Sequence, residues 1–263
     1  MQIITLTTDW GNKDYYIGLI KSQLYKTISE LNIVDISHEI KKYDILSAAF
    51  VVKNACLNFP KDTIHIIDIN TFESKQSSFL VIKAKDQYYV CTDNGLPSLV
   101  FENTEVEIYD TSYILSDSNY YTFAAWDNFC KIAKIINQTK TLTSLGIKQS
   151  EFAVKKNSSM PFIGKDTICC TITYIDDYGN AYLNMDSEKF YEIVANKKFS
   201  IILSNRYIVS KISQSYQDVN SRGDALLTIS VTGKLELALR EGNFAKLLGY
   251  KVGSTIDICI KDL

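Results

Sequence analysis

Proline and glycine are scarce in this 263-residue chain, at three and eleven residues. That excludes a linker-rich, collagen-like or disordered protein. Basic runs are short: Lys155-Lys156 and Lys197-Lys198 are the closest approaches, and the net charge is −2. No electrostatic footprint for nucleic acid or for an acidic membrane surface results. No apolar run approaches the ~20 residues that span a bilayer. The six cysteines form no CxxC pair and only two histidines are present, so metal-site spacing is lacking and buried thiols are expected. The first residues enter a strand in place of a leader, which makes a cytoplasmic protein the expectation.

What is present is a core. Apolar residues make up 46% of the chain, with 17 Tyr and 12 Phe, and the length suits one large and one small domain. The opening run, Met1 to Thr8, is too short and too alternating for a helix and stops at Asp9 and Gly11, as a strand feeding a loop does. Asp14 to Thr27 then carries a helical stripe of Tyr16, Leu19, Ile20, Leu24 and Tyr25. Further strands are expected at Ile33–Ile36, Thr63–Asp68 and Glu105–Tyr109, and a hairpin at Phe79–Ala84 and Tyr88–Cys91. Helices are expected at Asp44–Leu57, Ser98–Phe101 and Trp126–Asn137. Strands alternating with helices predict an α/β domain over residues 1–150 with a mostly parallel sheet covered on both faces. A polar linker follows at 151–165. Short β-branched runs in 166–263, such as Asp166–Ile175, Phe199–Leu203, Leu226–Val231 and Ile256–Ile260, predict a smaller antiparallel β domain.

Acids end three of the expected strands: Asp9, Asp35 and Asp68. With Asp93-Asn94-Gly95 they form a polar crevice at the edge where open α/β sheets bind ligands. An acid at that edge suits a neutral polyol such as a ribose. Clustered carboxylates equally suit magnesium and phosphoryl chemistry, acid–base work, or simple turn and cap formation. Residue chemistry alone leaves these open.

The order and spacing of these groups resemble the S-adenosylmethionine hydroxide adenosyltransferases, relatives of the fluorinases and chlorinases. The resemblance runs through Thr8-Asp9-Trp10-Gly11 with Asp14, Tyr16, Gly18 and Lys21, then Val34 to Ile40, Asp44 to Phe50 and Thr92 to Leu96. It continues with Ile175-Asp176-Asp177-Tyr178-Gly179-Asn180 and Asn184, Gly233 to Ala238, and Gly242-Asn243 with Leu248-Gly249. It implies an α/β domain followed by a β-barrel-like domain, assembled as a homotrimer with S-adenosylmethionine at subunit interfaces. A nucleophile attacks C5′ and releases methionine, and when that nucleophile is water the product is adenosine. No metal and no cofactor beyond S-adenosylmethionine are implied. In this picture Asp9 holds the ribose hydroxyls, and Phe50, Thr122 and Phe123 line the ribose and C5′ region. Asp176 and Asn180 hold the amino-acid part, and Tyr178 and Tyr182 stack near adenine or methionine. Trp10 and Asn94, in two of the matching blocks, join the binding set.

The chain departs from the family at its water-activating Asp–Arg–His set. Asp68 matches the aspartate, but both glycines of the block that follows are lost in Asp68-Ile69-Asn70-Thr71-Phe72. Lys75 stands where the family has Arg, a point charge in place of a bidentate fork. The block Thr122-Phe123-Ala124-Ala125-Trp126-Asp127 has Ala124 in place of the His and Trp126 in place of its own Arg. Asp68 and Lys75 are therefore the catalytic candidates of a divergent hydrolase. The alternatives are a protein of the same fold that binds S-adenosylmethionine or adenosine without turnover, and a halide-dependent adenosyl transfer that Ala125, lacking a hydroxyl, supports poorly.

Overall fold

Residues of alternate parity in Gln2–Thr8 (β1) point into two different cores, and the first half of the molecule is built around that strand. The computed structural model describes residues 1–71, 78–114, 122–195, 197–204 and 207–261. It divides into two units, Met1–Asn157 and Ser158–Leu263.

In the first unit, β1 is followed by a helix Tyr16–Thr27 (α1), a strand Leu31–Ser37 (β2), a helix Ile45–Ala55 (α2) and a strand Ile64–Asp68 (β3). Then come Phe79–Ala84 (β4), Gln87–Thr92 (β5), a short helix Leu96–Val100 (α3), Glu107–Asp110 (β6), a helix Cys130–Thr139 (α4) and Ile147–Gln149 (β7). Among the described residues the sheet order is β2-β1-β3-β5-β4-β6-β7. Ile4, Leu6, Ile64, Ile66 and Val90 face α1 and α4, burying Ile20, Leu24, Ile132 and Ile136. Ile67, Ile69, Tyr89 and Cys91 face α2 and α3 on the other side, against Ala48, Ala49, Val52 and Leu99. Small residues on α2 let it lie close to the sheet.

The expectation of a mostly parallel sheet needs correction. Pairs β1–β2, β1–β3 and β3–β5 are parallel, whereas β5–β4, β4–β6 and β6–β7 are antiparallel. The reason is local. Lys85 and Asp86 both hold positive φ, 49° and 59°, and make a two-residue turn between β4 and β5. Such a turn joins only antiparallel neighbours.

The second unit carries Phe162–Ile163 (β8), Thr167–Ile175 (β9), Ala181–Asp186 (β10), a helix Ser187–Val194 (α5), Lys198–Leu203 (β11), Tyr207–Val209 (β12) and Ile212–Ser213 (β13). Ala225–Ile229 (β14), Lys234–Leu239 (β15), a helical turn Phe244–Leu248 (α6) and Thr255–Lys261 (β16) complete it. The sheet runs β12-β11-β16-β9-β10-β15-β14-β13, with β8 added to β9, and curls as a half-barrel. Among the described residues its pairs are antiparallel apart from β13–β14. Ile172, Leu183, Leu227, Leu237, Ile258 and Phe190 fill the concave side.

No described helix is long and apolar enough to cross a membrane. Cys56, Cys91, Cys130 and Cys170 are buried thiols, and Cys169 and Cys259 are half-buried.

Candidate active site

Register assembles the site. Thr8 pairs with Asp68 across β1 and β3, so Asp9, one residue on, ends beside the Asp68 carboxyl at the carboxyl edge of the parallel strands. Asp9 Oδ2 accepts the backbone N–H groups of Tyr43 at 2.8 Å and Asn70 at 3.3 Å. It thereby ties the entry to α2 and the loop after β3 to the end of β1. That loop is held from its other side by Asn94, whose Nδ2 donates to Ile69 O at 2.8 Å while its Oδ1 accepts Leu96 N–H at 3.1 Å.

The two acids live in different surroundings. Burial pushes the Asp68 carboxyl up to about 7; a hydrogen bond from Thr71 opposes this and the neighbouring charge of Asp9 adds to it. Asp9 is instead fixed by the two backbone N–H groups on its Oδ2.

A second polar chain stands behind the loop. Lys21 Nζ donates to Asp35 Oδ2 at 2.5 Å. His38 Nε2 lies 3.2 Å from Asp35 Oδ1, and His38 Nδ1 is 2.8 Å from Thr8 Oγ1. A carboxylate only accepts, so the proton belongs on Nε2, and Nδ1 accepts from the Thr8 hydroxyl. Burial works to raise the Asp35 carboxyl, but hydrogen bonds from Lys21 and His38 outweigh it and hold it below its usual value. The His38 carbonyl accepts Gly11 N–H at 2.7 Å, and Gly11 takes φ of +78°, which suits glycine. On this support Trp10 stacks over His38 at 6.3 Å and meets Phe123 edge-on at 4.9 Å, with Tyr16 5.0 Å from Phe123.

The structure thus brings together Asp9, Asp68, Trp10, Phe123 and Asn94. Phe50 is half-buried on α2, and Thr122 is exposed just before Phe123. Lys75 lies outside the described residues. Asp93, the fourth acid of the edge, is engaged elsewhere, where its carboxylate accepts the N–H groups of Ala153 at 2.8 Å and Val154 at 3.3 Å. Ala124 and Ala125 are buried in the apolar core with Phe129. The helix they open begins as a π turn, Ala125–Phe129, before becoming α4. Such turns occur often at functional sites. His65 is fully buried, bonded to Thr5 at 2.7 Å and stacked on Tyr89 at 4.5 Å, and burial drives its pKa down to about 3.

In the second unit the candidates share one hairpin. Asp176 Oδ1 accepts Asn180 N–H at 2.8 Å, and Oδ2 accepts Asn180 Nδ2 at 3.1 Å and the Tyr182 hydroxyl at 3.3 Å. Gly179 holds φ of +86° where a Cβ would stand 2.2 Å from the Asn243 side chain. Asn243 in turn caps α6 through Lys246 N–H at 2.7 Å. Asp176 and Gly179 line an open hollow of about 370 Å³ with Asn243 and Tyr250. Tyr178 is 81% exposed at the tip. Residue patterning missed Tyr216 and Glu236, which join this cluster; a lone acid inside the apolar run Leu235 to Leu239 was the available signal.

Comparison with known proteins identifies the lineage of both units. Residues 4–146 match the S-adenosylmethionine hydroxide adenosyltransferase N-terminal domain, and residues 170–257 match the C-terminal domain. The chain belongs to this family. Among its relatives, the (R)-S-adenosyl-L-methionine hydrolase of Methanocaldococcus jannaschii is 27% identical over 98% of this chain and 96% of that protein. The protein of the same name from Salinispora tropica is 21% identical over 97% of each. A crystal structure of an uncharacterized conserved protein from Thermotoga maritima has a TM-score of 0.87 at 25% identity, covering 98% of this chain and 100% of that one. One of a conserved hypothetical protein from Thermus thermophilus, at 16% identity and a TM-score of 0.73 over 99% of this chain and 100% of that one, shares the fold. In this member of the family Asp9 and Asp68 stand at the sheet edge, and Ala124 and Ala125 stand where the π turn before α4 begins.

Proposed function

We propose that this protein hydrolyses S-adenosylmethionine to adenosine and methionine. Water attacks C5′, the C5′–S bond breaks with its electron pair going to sulfur, and the sulfonium departs as a neutral thioether. The leaving group needs no proton. What the protein supplies is alignment, partial dehydration of the water, and a base for the proton released. The carrying observation is the buried Asp68 carboxyl beside Asp9, with its pKa raised to about 7, suited to take that proton near neutrality.

Asp9 is assigned to the ribose hydroxyls through Oδ1, because both backbone bonds fall on Oδ2. Trp10, Phe123, Thr122 and Phe50 are assigned to the walls around ribose and C5′, and Asn94 to the loop that shapes them. Lys75 is assigned to ordering the water beside Asp68. Asp176 and Asn180 take the amino-acid part of the ligand, with Tyr182 and Tyr178 against adenine or methionine. The functional form is a homotrimer with ligand at subunit interfaces, working in the cytoplasm with S-adenosylmethionine as substrate and no other cofactor.

A second reading has its own support. Ala124, in the place of the family's histidine, is packed in the apolar core and has no group to move a proton. This favours a protein that holds S-adenosylmethionine or adenosine without turnover. Incubation with S-adenosylmethionine, with and without excess chloride, followed by chromatography of nucleosides, separates the readings. Adenosine that disappears in Asp68→Asn and falls in Lys75→Ala supports hydrolysis. Ligand bound by calorimetry with no product supports the binding protein, and a 5′-chloro nucleoside overturns both.

A further inference from the structure

Behind the Asp176 hairpin lies an acid that the assignments above do not use. Glu236 of β15 is 1% exposed, directly opposite Tyr182 of β10 on one side and Thr228 of β14 on the other. The Tyr216 hydroxyl donates to its Oε1 at 2.5 Å. Tyr182 lies between two acids: its hydroxyl donates to Asp176 Oδ2 at 3.3 Å and also lies within hydrogen-bonding reach of Glu236. A phenol has one proton. Having given it to Asp176, Tyr182 can meet Glu236 only as an acceptor, and a carboxylate has nothing to donate.

We propose that Glu236 is a positioning residue that stands as a neutral acid in a directed chain, Tyr216 to Glu236 to Tyr182 to Asp176. Each hydroxyl donates forward, and the chain ends on the Asp176 carboxylate, which also receives both Asn180 N–H groups. The chain keeps the anionic charge at the Asp176 end, beside the hollow, and removes it from the buried end. The groups facing Glu236 agree with this. Tyr182 and Asp176 approach from β10 and its hairpin, Tyr216 from the segment before β14, and Thr228 of β14 spends its hydroxyl on Ser213 O at 2.9 Å. None of these carries positive charge. Burial, the largest influence, pushes the Glu236 carboxyl up and the charge of Asp176 adds to it, against the hydrogen bonds with Tyr216 and Tyr182.

The role of the chain in ligand binding rests on the assignment of Asp176 to the amino-acid part of S-adenosylmethionine. In that setting it presents a fixed anion to a cationic group such as an α-ammonium. Adenosine lacks that group and serves as the control ligand.

Two measurements test this. Infrared difference spectroscopy at neutral pH is expected to show a protonated-acid C=O stretch in the wild-type protein that Glu236→Gln removes; no lost band overturns the neutral acid. In calorimetry, Glu236→Leu is expected to weaken S-adenosylmethionine roughly five- to tenfold and leave adenosine unchanged. Gln, which can accept from Tyr216 and donate to Tyr182, is expected to restore the affinity lost in Leu. A Gln variant as weak as Leu, or an equal loss for adenosine, overturns the positioning role. If the wild-type protein binds neither ligand, the functional reading fails, while the infrared band still decides the protonation of Glu236.

Discussion

Asp68 of β3 pairs in register with Thr8 of β1, and this places its buried carboxyl beside that of Asp9. Two acids far apart in sequence share an edge because their strands are parallel neighbours. The arrangement is costly to the fold, which is how groups that do chemistry are commonly held.

Asp68→Asn is expected to stabilise the protein while disabling it. With the folded pKa raised to about 7 from 3.8, the native state binds a proton that the unfolded chain has lost. Stability therefore falls as pH rises from about 4 to about 7, by on the order of 3–4 kcal/mol. Urea unfolding is expected to show a gain of about 1–3 kcal/mol for the variant at pH 8 and no difference at pH 4. Hydrolysis falls by about 10²–10⁴-fold. A variant less stable than wild type at pH 8 contradicts the assignment.

Wild-type kcat/KM is expected to rise with pH through an apparent pKa near 7 and then level, since Asp68 must be unprotonated to accept a proton. A flat profile from pH 5 to 9 removes Asp68 as the base.

His38→Ala takes away the acceptor of the buried Thr8 hydroxyl and the ring under Trp10. A loss of about 1–3 kcal/mol is expected. With Trp126→Phe in the background, Trp10 emission is expected to shift towards that of exposed indole. Unchanged emission means that Trp10 is held by Phe123 and Tyr16 alone.

His65 sets an acid limit. Its folded pKa of about 3 lies below the ordinary 6.5, so the unfolded state takes up a proton first as pH falls. The stability it contributes is whole above pH 6.5 and is lost progressively down to about 3, amounting to about 2–3 kcal/mol by pH 4.5. His65→Gln is expected to flatten the dependence of the urea midpoint on pH over that interval. An unaltered slope assigns the acid limit elsewhere.

Gly179→Ala is expected to cost about 2–4 kcal/mol, because the added Cβ meets the Asn243 side chain at 2.2 Å and φ is +86°. Gly249→Ala, with φ of +76° but nothing within 4 Å, is the control, at about 1–2 kcal/mol. Equal melting temperatures for the two variants mean that the hairpin does not press on Asn243.

Much of the fold is legible in residue order. The alternation of Gln2–Thr8 and the stripe of Tyr16–Thr27 identify elements because their periods are local properties of the chain. The acids at the ends of β1 and β3 are readable as edge residues for the same reason. Less legible is the rest of the antiparallel half of the first sheet: the β4–β5 hairpin is expected, but the pairing of β6 with β4 and of β7 with β6 joins segments distant in sequence, which no local period marks.

The sequence by itself determined the elements and the lineage, because these depend on residue identity and order. Tertiary structure alone decided how the acids divide their roles. Asp93 accepts backbone N–H groups from Ala153 and Val154, Asp35 pairs with Lys21 and His38, and Asp9 clips two loops. Asp68 is left buried beside a charge, and Glu236 faces a tyrosine whose proton is already given to Asp176. A carboxyl group's chemistry depends on which donors and charges surround it and how far water is excluded. Those neighbours come from distant parts of the chain and meet only when the strands pair.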